Sequence, residues 1–121
     1  MSREEVPPWL REQLARFDQL QQNLQAILVQ KQQVELEMTD IERTMSELKK
    51  ISPEDTVYKY AGSILIKIKR DDMLKELEER RDIANTRSLV LAKQEARIRE
   101  SVKELQAKID EALRFKPPSQ T

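Results

Sequence analysis

The chain has 121 residues, with 22 basic and 22 acidic side chains, no His, no Cys, a single Gly, and only 4% aromatic residues. Such a composition belongs to long helices and coiled coils. Without His or Cys it lacks the commonest general base, the thiol nucleophile and most zinc sites, and its balanced charge offers no basic face for nucleic acid.

Residues 1–8 form a polar lead ending in Pro7-Pro8, and proline suits the first helical turn. A helix is expected over residues 9–50. Its heptad a positions are Leu10, Phe17, Leu24, Lys31, Met38 and Met45, and its d positions are Gln13, Leu20, Ile27, Val34, Ile41 and Leu48. All but Lys31 and Gln13 are apolar, which marks a coiled-coil seam. Lys49 and Lys50 suit the negative end of the helix dipole, and Ser52-Pro53 stops the helix.

After a polar link at Glu54 and Asp55, residues 56–60 and 63–69 are rich in β-branched and aromatic side chains and read as a hairpin around Gly62. The turn is Ala61-Gly62 or Gly62-Ser63, and a three-residue loop is a third option. Either two-residue turn puts Val57, Lys59, Ile64, Ile66 and Ile68 on one face and Tyr58, Tyr60, Leu65, Lys67 and Lys69 on the other. The first face is almost wholly apolar, and with its open edges it is expected to find no partner within the chain.

Asp71 and Asp72 are expected to cap a second helix over residues 72–114. Its a positions are Leu74, Arg81, Ser88, Glu95, Val102 and Ile109, and its d positions are Leu77, Ala84, Leu91, Ile98, Leu105 and Ala112. The fold class is therefore mainly α, a long antiparallel two-helix coiled coil with one β-hairpin between the helices. Facing a and d layers fall into a register whose residue numbers sum to 122, such as Met45 with Leu77 and Leu24 with Ile98. At about 1.5 Å rise per residue each helix extends roughly 60 Å. Both ends of the chain are expected to be disordered, and residues 1–121 to form one domain.

A helix carrying Gln30-Lys31-Gln32, a hairpin reading Val57-Tyr58-Lys59, then Gly62, then Ile64-Leu65-Ile66, and a second helix carrying Gln94-Glu95 together resemble the β-class subunit of prefoldin, in its archaeal form. The resemblance covers about residues 8–116. It implies a hexamer of two α-class and four β-class subunits joined through their hairpins into an intersubunit β-barrel. It further implies an ATP-independent chaperone that holds unfolded polypeptides at the coiled-coil tips and passes them to a group II chaperonin.

On that reading Val57, Tyr58, Tyr60, Gly62, Ile64, Leu65, Ile66 and Ile68 form the oligomerisation hairpin. The client-binding tip is Val6, Trp9, Leu10, Leu14, Phe17, Leu113 and Phe115, where large apolar side chains gather at the free helix ends. Leu10 and Phe17 are also seam residues and pack as such. Lys31 and Glu95 either pair across the seam or extend to solvent. Ile83, Leu89 and Val90 lie off the seam without an intrachain partner, which leaves an alternative: a structural adaptor docking one folded protein there. No enzyme activity, cofactor, metal, nucleic acid or membrane partner is expected. No run approaches the roughly 20 apolar residues of a membrane span, and Met1 to Arg16 holds no signal-peptide core, so the expected location is cytoplasmic.

Overall fold

In the computed structural model, residues 6–114 are described. Four elements follow in chain order: α1 (Pro8–Leu48), β1 (Thr56–Ala61), β2 (Ile64–Lys69) and α2 (Arg70–Arg114). The expected disorder at the two ends falls largely on residues outside those described. The chain divides into two compact units, one of Met1–Gln30 with Leu91–Thr121, the other of Lys31–Val90.

Helix α1 begins where its prolines dictate. The Pro7 carbonyl accepts from the amides of Leu10 and Arg11 at 3.0 and 3.1 Å, which makes Pro8 the first helical residue, where a missing amide hydrogen costs nothing. The helix ends at Leu48, two residues before the expected boundary. Its last hydrogen bonds tighten there: the Lys49 amide still reaches Met45 O, but the Lys50 amide turns to Glu47 O and that of Ile51 to Leu48 O. Ser52 and Asp55 then close a turn on each other, with Asp55 Oδ2 accepting the Ser52 amide at 3.0 Å and the Asp55 amide reaching Ser52 O at 3.0 Å.

Every a and d position named above is buried or half-buried, so the heptad reading holds along both helices. In the first unit the buried residues are Leu24, Ile27, Leu91, Leu105 and Ile109. In the second, Ile41, Met45, Leu48, Met73 and Leu77 form a cluster, with Leu74 packed against it. That cluster fits the register summing to 122, which pairs Met45 with Leu77 and Leu48 with Leu74. Each fully buried side chain of this size contributes about 1.5–3 kcal/mol. Two methionines fill the place where helix and sheet surfaces meet, as flexible thioethers do well.

Helix α2 starts at Arg70, earlier than expected, because β2 runs into it without a loop. Asp71 and Asp72 are therefore not caps. They lie in the first turn, where their charge complements the helix dipole.

Candidate functional site

The hairpin is an antiparallel pair with Val57 opposite Ile68, Tyr58 opposite Lys67, Lys59 opposite Ile66, Tyr60 opposite Leu65 and Ala61 opposite Ile64. The turn is thus Gly62-Ser63. Gly62 has φ 65 and Ser63 a negative φ, the combination a II′ turn asks of its two central residues. A Cβ at Gly62 would meet no atom within 4 Å, so the demand for glycine is one of backbone conformation alone. The face assignment read from the sequence follows from this register.

One expectation is corrected. Val57 and Ile68 do have partners within the chain, since both pack against the cluster of Ile41, Met45, Leu48, Met73 and Leu77. Period-2 patterning shows that a face is apolar but not what meets it. Further toward the turn the same face opens to solvent, with Ile66 39% and Ile64 60% exposed. On the other face Tyr58, Leu65 and Tyr60 are exposed, Tyr60 to 80%. The sheet has two strands among the described residues, so each strand keeps one edge of amides and carbonyls outside the ladder. A two-stranded hairpin alone is marginal in water, and packing against a helix or further strands is what stabilises one.

Two polar ties join this hairpin to the helices, and neither was foreseen. Arg70 donates from Nε to the Leu48 carbonyl at 2.8 Å, satisfying an end carbonyl of α1, while its amide reaches Asp55 O at 2.9 Å and Nη1 meets Asp71 Oδ1 at 2.8 Å. Lys59, the one cation on the apolar face, reaches Glu76 Oε1 on α2 at 2.6 Å. A charged residue alone on an apolar strand face was the available signal for such a tie. Elsewhere in the same unit, Arg87 and Glu37 pair at 3.8 Å between the helices.

The second candidate surface belongs to the first unit. Trp9 and Leu14 on α1 are 50% and 45% exposed and Leu113 on α2 is 58% exposed, whereas Val6, Leu10 and Phe17 are half-buried. Phe115 lies outside the described residues. Ile109 and Leu105, on the seam just before Leu113, are buried. Trp9, Leu14 and Leu113 are off-seam positions, so large apolar side chains flank the last seam layers of this unit. Ile83, Leu89 and Val90 on α2 are also exposed, as their off-seam positions imply. No helix among the described residues is long and apolar enough to cross a membrane.

Two long helices joined by one hairpin that is covered only at its base define a class of coiled-coil subunit. A family model described as prefoldin subunit matches residues 11–114. The chain is 40% identical over 109 residues to a prefoldin subunit beta of Archaeoglobus fulgidus, covering 90% of this chain and 94% of that one. To the prefoldin subunit beta of Pyrobaculum islandicum it is 37% identical, covering 90% and 87%. Among solved structures, the prefoldin beta subunit from Thermococcus strain KS-1 superposes with a TM-score of 0.83 at 32% identity, over 94% of this chain and 98% of that one. The beta2 subunit from the same strain gives 0.68 at 25% identity, over 75% and 97%. This chain belongs to the prefoldin subunit family, whose members are chaperone components.

Proposed function

We propose that this chain is the β-class arm of a cytoplasmic, ATP-independent chaperone. Four copies join two α-class subunits through their hairpins into a β-barrel platform, and the free helix ends hold unfolded polypeptides and pass them to a group II chaperonin. The protein catalyses no reaction. The observation that carries this reading is the exposure of Trp9, Leu14 and Leu113 where the neighbouring seam residues Leu105 and Ile109 are buried. Apolar side chains that no seam covers bind weakly and with little sequence preference, and several such ends on one platform raise avidity by about 10² to 10⁴ without new contacts.

Removing residues 1–9 and 113–121 tests it. The truncated chain keeps the whole hairpin and is expected to assemble with an α-class subunit while losing its suppression of aggregation of a denatured test protein. Full suppression by the truncated assembly would move client capture to Ile83, Leu89 and Val90. The exposure of those three also supports a second reading, an adaptor for one folded partner. It predicts a single saturable ligand, where the chaperone predicts capture of many denatured proteins.

A further inference from the structure

We infer that the Lys59–Glu76 pair is an orientation latch, which fixes the angle at which the hairpin leaves α2 and so decides whether a second hairpin can pair with it. The inference rests on the hairpin being the assembly element and adds the residues that aim it.

The hairpin's helix-facing side is tied down in a graded way. At its base Val57 and Ile68 sit on the apolar cluster. Two residue pairs nearer the turn, Lys59 takes over and meets Glu76 at 2.6 Å, with side-chain exposures of 28% and 37%. Beyond that, toward the turn, Ile64 is 60% exposed. Among the described residues the ion pair is thus a tie between sheet and helix that lies nearer the turn than the apolar base.

Apolar contact at Val57 and Ile68 is non-directional and tolerates a small rotation about the base. The Lys59–Glu76 hydrogen bond opposes it, because a rotation that lifts the hairpin from α2 lengthens their 2.6 Å contact. Strand addition, in turn, needs both edges aligned within hydrogen-bonding geometry. A partly exposed pair contributes little to fold stability, so its loss is expected to leave the helices folded while the hairpin swings. The residue choice follows: an apolar side chain at position 59 would bury as well or better, but would leave the angle unset.

The test uses the full chain mixed with an α-class prefoldin subunit, in three variants: Lys59→Glu, Glu76→Lys and the swap K59E/E76K. Each single variant is expected to weaken assembly at least tenfold by sedimentation with unchanged helical circular dichroism, and the swap to recover most of it. Because the chain has no Cys, spin labels at Ser63→Cys and Glu79→Cys report the hairpin angle directly in the unassembled chain. One narrow distance distribution is expected in the parent, a broad one in each single variant, and a narrow one again in the swap. Unchanged assembly and unchanged distance widths in the single variants overturn the latch, as does a swap no better than either single variant. A control, Ile64→Lys with Leu65→Lys, separates the two ideas: normal assembly of the control refutes the hairpin as the assembly element, whereas loss in the control with none in Lys59→Glu refutes only the latch.

Discussion

The two compact units expose apolar surface in different chemical forms. In Lys31–Val90 the exposed residues Tyr58, Tyr60, Ile64 and Leu65 ride on a two-stranded sheet, beside backbone groups that demand partners at fixed spacing. In the other unit Trp9, Leu14 and Leu113 ride on helices, which present no open sheet edge. A sheet edge selects partners by geometry. A helix-borne apolar patch selects by little more than hydrophobicity. On the proposed function, one chain thus carries a specific joining surface and an unspecific holding surface.

The largest expected effect comes from abolishing the first of these. Ile64→Lys with Leu65→Lys puts one extra cation on each face of the hairpin, and sedimentation should find no hexamer at concentrations where the parent is fully assembled. Helical circular dichroism should hardly change, because neither residue belongs to the core cluster. A hexamer from this variant would erase the distinction between the two surfaces.

Leu77→Ala should lower stability by about 2–5 kcal/mol, seen as a lower urea midpoint, since Leu77 is 3% exposed within the cluster on which the hairpin rests. It sharpens the comparison by damaging the support of the joining surface while leaving Trp9 and Leu113 untouched. Arg70→Ala should cost less, about 1–3 kcal/mol, by removing a charged donor from the Leu48 carbonyl at a part-buried site. Arg70→Lys should recover only part of this, for a lysine cannot serve Leu48 O and Asp71 with one planar fork.

Much of this was legible in the sequence. The seam was, because heptad spacing records burial directly: Val34, Ile41 and Ala84 stand at d positions and are nearly inaccessible. The hairpin faces were legible too, since both two-residue turns give the same alternation. The ties were not. Arg70 reaches back 22 residues to Leu48, and Lys59 forward 17 residues to Glu76, and periodicity carries no information about which side chains meet over such separations. The helix start at Arg70 was missed for a related reason: Asp71-Asp72 looks like a cap, but a strand feeding straight into the helix moves the boundary ahead of it. The cover over Val57 and Ile68 escaped notice because the alternation of a strand says nothing about the helix packed on it.

The separation of joining from holding is tested most directly by photo-crosslinking in the assembled complex with a denatured test protein bound. A photoreactive phenylalanine analogue is placed at Trp9 in one variant and at Tyr60 in another. The account predicts that the analogue at Trp9 captures the denatured protein and that the one at Tyr60 captures only sister subunits. Capture of the denatured protein at Tyr60, or none at Trp9 in a complex that still suppresses aggregation, would contradict it.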